Sequence, residues 1–151
     1  MEVILNNTEI AVAALIGCGR TIRGKGFRDP SRARKKESGL NQWQIDVEGS
    51  CAEAAFAKSR NLYWSGIALD TFKAGDVGDV QVRHTELEYG SLVLRPGDDD
   101  AAPFALVIGT APTFSVIGWI IARDGKQEQW KHGKNTSEPY WRVPQSALQR
   151  F

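Results

Sequence analysis

Two nearly unbroken apolar runs, residues 104–109 (Phe-Ala-Leu-Val-Ile-Gly) and 114–121 (Phe-Ser-Val-Ile-Gly-Trp-Ile-Ile), follow each other across the short turn Thr110-Ala-Pro112. Runs of this length rich in branched and aromatic residues read as strands, and strands without polar alternation are covered on both faces. A chain carrying two of them must lay material on each side of its sheet. That requirement decides the fold class before any other residue is read.

The remaining segments supply the layers. Strands are predicted over 79–84, 91–95 and 140–143, and Tyr89-Gly90 and Pro96-Gly-Asp-Asp-Asp100 read as turns, with Asp98 to Asp100 a solvated loop. A helix is predicted over 8–18, with Thr8 as N-cap, Glu9 in its first turn and Gly17 and Gly19 at its end. Trp43, Ile45 and Val47 alternate with polar residues, which predicts a short strand over 41–48. Gly49-Ser50 then opens a second helix over 51–61, in which Ser50 and Glu53 match the Ser-x-x-Glu capping box. One or two helical turns are expected over 123–132, and Pro144 suits the start of a final turn. The order predicts one mixed α/β domain, a central sheet of about four to six strands with flanking helices.

Charge narrows the partners. The chain has 151 residues and a formal net charge of +1, which does not suit bulk coating of nucleic acid. Eight of its 19 basic residues nevertheless fall between Arg20 and Lys36. With its glycines and Pro30 this segment is predicted as a loop or arm, either a solvated linker or a grip on nucleic-acid phosphates through Arg32, Arg34, Lys35 and Lys36. No apolar run has the length of a membrane helix, and the first residues lack the basic start of a secretory signal, so a cytoplasmic protein is expected. Cys18 and Cys51 are expected as reduced thiols, and the few Cys and His residues lack zinc spacing. No phosphate-loop motif or nucleophile elbow is present.

Chemistry concentrates at Asp76-Val-Gly-Asp-Val-Gln-Val-Arg83. Gly78 permits a sharp turn, and the strand that follows puts Gln81 and Arg83 on one face with Val82 and His84 on the other. Glu53, Asp76 and Gln81 could give oxygen ligands to Mg²⁺ or Mn²⁺, and Arg83 could hold a phosphate beside it. Asp79 is an alternative to Asp76. The plainer reading is a capped turn, with Arg83 paired to a neighbouring acid and His84 serving the fold. Trp119, Trp130, Tyr140 and Trp141 suit packing better than base stacking.

A helix-borne Glu, then Asp, then Gln-x-Arg on the next strand resembles the PD-(D/E)XK, or restriction-endonuclease-like, nuclease superfamily. The text around Val47–Lys58, Tyr63–Gly66, Thr71–Lys73, Leu94–Pro96, Pro112–Phe114, Gly118-Trp119 and Val143–Gln145 also resembles a group of small phage and prophage proteins of unassigned role, over about residues 45–148. The resemblance implies an N-terminal helix plus basic arm over 1–48 packed on a nuclease-like core over 49–151. It implies divalent-metal-dependent phosphodiester hydrolysis with Glu53, Asp76, Gln81 and Arg83 as catalytic residues, the first three on the metal, and DNA bound through the arm and Lys73. Arginine stands where the superfamily carries lysine, and it cannot take a proton from water. The alternative is therefore an inactive nuclease-fold protein that binds nucleic acid or a host or phage protein. Whether the chain forms a homodimer is left open.

Overall fold

The computed structural model describes residues 1–24, 41–66, 75–133 and 138–151. Their elements are β1 (Glu2–Ile4), α1 (Asn7–Arg23), α2 (Gln42–Arg60), β2 (Gln81–Thr85), β3 (Leu92–Leu94), β4 (Pro103–Thr110), β5 (Thr113–Ile121), α3 (Ala122–Gly125), β6 (Lys131–His132) and β7 (Tyr140–Val143). Two 3-10 turns complete them, Glu128–Trp130 and Gln145–Ala147. The protein is α/β, as its sequence requires.

Four strands form a mixed sheet in the order β1-β5-β4-β2, and three form an antiparallel sheet in the order β3-β7-β6. β2 runs parallel to β4, while β4–β5 and β5–β1 are antiparallel. The apolar run of β4 divides its side chains between two cores. Ala105 and Val107 turn to Ala52, Ala55 and Phe56 of α2, and Phe104 and Leu106 turn to Leu92, Leu94 and Val143 of the second sheet. Among the described residues the sheet is thus covered on both faces, with α1 and α2 on one side. The other cover is a second sheet, where flanking helices were expected.

The sequence places the strands well and the helix ends poorly. β1 escapes prediction because it is three residues long and only Val3 is buried. α1 starts from Asn6, whose side chain accepts the Glu9 N–H while Glu9 reaches back to the Asn6 N–H. Thr8 is not the cap, and neither Gly17 nor Gly19 ends the helix, so Arg20 and Arg23 belong to α1. The predicted strand over 41–48 is helical. Asn41 and Gln44 form the capping box, and Ser50 sits mid-helix with its hydroxyl on the Asp46 carbonyl. The alternation of Trp43, Ile45 and Val47 misleads because α2 buries a different stripe: Asp46, Ser50, Glu53 and Ala57 recur at spacings of four and three residues. Polar residues hold three of those four positions, so a search for apolar periodicity passes over the stripe.

Gly17 is where α1 meets α2. A Cβ there would lie 2.6 Å from the Asp46 carbonyl oxygen and 2.6 Å from the Val47 Cα. The helix continues through Gly17 because the missing side chain admits the α2 backbone, which offsets glycine's poor helix propensity. Gly17→Ala is expected to force the helices apart and to cost roughly 1–3 kcal/mol. Urea unfolding measures this, and an unchanged midpoint would contradict the close approach.

Candidate functional site

The site is built at the α1–α2 crossing and the turn that leads into β2. One turn beyond Gly17, Arg20 comes over α2 and forms a two-pronged bond with Glu53, Nη1 to Oε1 at 2.5 Å and Nη2 to Oε2 at 2.7 Å. The Glu53 side chain is 6% exposed and that of Arg20 is 22% exposed. Trp64 adds its indole N–H to Glu53 Oε2 at 3.1 Å. Two helix turns back along α2, Asp46 is buried too. It accepts the Thr21 hydroxyl at 2.9 Å and the Gln42 amide at 2.8 Å. The α1–α2 interface is therefore a polar ladder, with every buried side-chain nitrogen and oxygen among the described residues partnered.

Asp76 approaches from the turn below. Gly78 has φ +59°, and Val77 and Val80 exchange both backbone hydrogen bonds at 3.1 Å, closing a compact loop. The Asp76 Oδ2 then accepts the Val82 N–H at 2.8 Å. That is the capped turn of the plainer reading, and Asp79 is exposed at its tip.

Electrostatics bind these parts. Burial is the largest influence on Glu53 and lifts its carboxyl above the usual range. The charge of Asp76 adds to the rise, against the pull of Arg20 and Trp64. Burial also lifts Asp76, against its bond from Val82 and the more distant charges of Arg20 and Arg83. For Arg20, burial works against the charge, but the bonds and charge of Glu53, with Asp76 and Asp46 behind, outweigh it and hold the guanidinium above its ordinary value. One cation thus serves three buried or half-buried carboxylates.

The four residues expected to form one centre are divided. Glu53 and Asp76 share the helix side of β2. Arg83 projects from the opposite face: its Cζ lies 4.9 Å from the centre of the Phe104 ring, Nε donates to the Val93 carbonyl, and Nη2 meets Asp98 at 2.7 Å. Gln81 sits on Arg83's side of the strand, opposite Phe104 in register. Asp98, expected in a solvated loop, is instead the acid that holds Arg83, and it also takes the Arg95 N–H. Its neighbour Asp100 pairs with Lys126. His84 serves the fold as expected, with Nε2 at 2.8 Å from the Gly109 carbonyl. Trp119, Trp130 and Trp141 pack against the cores, and Tyr140 stacks on His132. Arg32, Arg34, Lys35, Lys36 and Lys73 lie outside the described residues.

As arranged, the donor set does not fit a resident divalent cation. Both Glu53 oxygens are bonded to Arg20, Gln81 is on the other face, and among the described residues no group of three or more His, Cys, Asp or Glu side chains is gathered to hold a metal. Mg²⁺ manages with one or two carboxylates, but these must be open to it. The sequence reading missed Arg20 and Asp98 as partners. Arg20 was hidden by the premature helix end at Gly17, and Asp98 by a sequence separation of 15 residues from Arg83. No family model, no curated protein and no solved structure matches the chain.

Two outcomes follow from this electrostatics. Arg20→Met leaves Glu53 buried without its cation and is expected to cost about 3–5 kcal/mol in denaturant unfolding, while Arg20→Met with Glu53→Met recovers most of it. A single-variant loss below about 1 kcal/mol would mean that the pair is solvent-screened. The pH response has a definite sign. Carboxyls raised in the folded state bind protons better there than in the unfolded chain, so their contribution is largest below the ordinary carboxylate pKa and falls as pH rises through the folded value. Asp76→Asn keeps an oxygen for the Val82 N–H and removes the charge. Its stability relative to the unsubstituted protein should therefore improve as pH is raised from about 4.5 to about 8, and a constant difference over that range would refute the raised carboxyls.

Proposed function

We propose that this chain is a non-catalytic relative of the restriction-endonuclease-like nucleases, one that binds nucleic acid without cutting it. One observation carries the reading. Among the described residues, both cations at the expected centre are committed to protein carboxylates on opposite sides of β2, Arg20 to Glu53 and Arg83 to Asp98. A phosphodiester-cleaving site needs a cation aimed at the scissile phosphate and carboxylates aimed at a metal. Here the same groups neutralise one another and fasten α1 to α2 and β2 to the second sheet. The nuclease-like order of helix-borne Glu53, then Asp76, then Gln81 and Arg83 on a strand of a mixed sheet supports common ancestry of architecture. The departures are a second sheet in place of helices on one face and arginine in the lysine position.

Under this reading the nucleic-acid contacts come from the basic segment, Arg32, Arg34, Lys35 and Lys36, together with Lys73. Contacts of this kind grip phosphate and carry little sequence preference. A second reading, Mg²⁺- or Mn²⁺-dependent hydrolysis of DNA, is favoured by a different observation: Glu53 and Asp76 come from separate elements, and burial raises both carboxyls.

One pair of experiments separates them. Plasmid and single-stranded DNA incubated with Mg²⁺ or Mn²⁺ should remain intact with the unsubstituted protein. Cleavage that disappears in Asp76→Asn would overturn the non-catalytic reading and establish the second. Binding to the same DNA should weaken as salt rises. Replacing Arg32, Arg34, Lys35 and Lys36 by Gln should reduce the log–log salt slope by about 3 to 4, the loss expected for four phosphate contacts. No binding at low salt, or an unchanged slope, would refute the phosphate-gripping role.

A further inference from the structure

Two arginines beside β5 have no acid to answer them. Arg60 closes α2, and Arg150 lies beyond the Gln145–Ala147 turn. Both are exposed, and among the described residues neither guanidinium pairs with a carboxylate. Lys58, in the same turn of α2 as Arg60, shows the usual arrangement: it bonds Glu9 at 2.8 Å and the Ile4 carbonyl at 2.9 Å. Among the described residues Arg60 donates to no acceptor, and Arg150 to one, the Ile117 carbonyl at 3.2 Å.

Both are nevertheless held in place. The Arg60 Cζ stands 4.8 Å from the centre of the Phe151 ring, and that ring packs against Phe56 at 5.4 Å and Trp119 at 6.5 Å. Gln149 exchanges both backbone hydrogen bonds with Trp119 at 2.9 Å, so the chain leading to Arg150 is fastened to β5. Gly118 admits this approach, since a Cβ there would lie 2.5 Å from the Gln149 carbonyl oxygen. A guanidinium held by its flat face keeps its N–H edge free to donate.

The two arginines border one cleft of about 90 Å³, lined also by Ser59, Val116, Ile117 and Phe151. No acidic side chain lines it. The Ser59 hydroxyl already donates to the Phe56 carbonyl at 2.7 Å, so the guanidiniums are the donors left for a ligand. Positioned donors that share a recess and lack an acceptor fit an oxyanion. Size narrows the choice. The cleft has room for several water-sized groups but falls well below the roughly 300 Å³ that a drug-sized ligand needs. One guanidinium fork uses up the oxygens of a carboxylate, whereas a phosphate has oxygens for both forks. We propose that the cleft between Arg60 and Arg150 is a phosphate-binding site. The phosphate is either a free or terminal group or a link in a nucleic-acid backbone, and the site stands without the nucleic-acid reading.

Titration with inorganic phosphate at constant ionic strength, followed by NMR, tests it. The Arg60 Nε–H and the backbone amides of Ser59 and Ile117 should shift and saturate with a midpoint on the order of 1 mM, and chloride should not move them. Arg60→Gln with Arg150→Gln, both at exposed positions, should weaken the binding seen at the two amides about tenfold or more. Phe151→Leu keeps both charges but removes the ring that positions Arg60, and should weaken it about two- to fivefold. A second arm names the source. For a short single-stranded DNA, the double Gln variant should lower the log–log salt slope by about 1 to 1.5 if the site holds backbone phosphates. Phosphate binding with an unchanged slope gives the site to a free or terminal phosphate instead. Equal shifts in chloride and phosphate together with an unchanged slope overturn the proposal. So does phosphate binding that is indifferent to the double variant.

Discussion

The Arg20–Glu53 pair is the interaction on which the helical layer depends. Two buried carboxylates on α2 and a third at the mouth of β2 would repel one another and resist desolvation without a cation among them. Arg20 reaches them because Gly17 lets α1 lie against the α2 backbone at the height of Asp46 and Val47. Close helix approach and charge compensation are thus one arrangement. The guanidinium suits it because its fork meets both Glu53 oxygens in one plane, which a lysine ammonium cannot do.

A second cation repeats the solution on the other side of β2. Arg83 spans from the main sheet to the strand β3 carbonyl of Val93 and to Asp98, with its guanidinium over Phe104. Lys126 reinforces the same loop by bonding both Asp98 and Asp100. The two sheets are therefore joined by an apolar core with a charged clasp at its margin, and the helices by a polar ladder with an apolar core beneath. Between them lies β4, whose alternate side chains serve both cores.

The strands were legible because their burial is carried by side chains with strong sheet preference: β2, β3, β4, β5 and β7 each fall within a residue or two of the predicted spans. The helix ends were not, and for one reason. Gly17 and Ser50 look like punctuation in a sequence read alone, and Asp46 like a polar position of a strand, yet here they line an interface between helices. Polar and small residues signal an end when solvent surrounds them and a contact when another helix does. The residues of the candidate centre are divided for a related reason. Glu53 and Asp76 lie near enough for the charge of one to act on the other, but strand alternation sets Gln81 and Arg83 on the far face. Only the second sheet, invisible as a layer in the sequence, explains why that face has a use for an arginine.

The bond from the Val82 N–H to Asp76 has one more consequence. Among the described residues β2 ends its sheet, and an end strand with outward amides invites another chain to add a strand of its own. Asp76 occupies one of those amides and sets a half-buried carboxylate along that border. The opposite border, β1, offers three residues only. Growth of this sheet by strand addition is therefore obstructed at both margins, and the protein keeps its backbone ladder to itself.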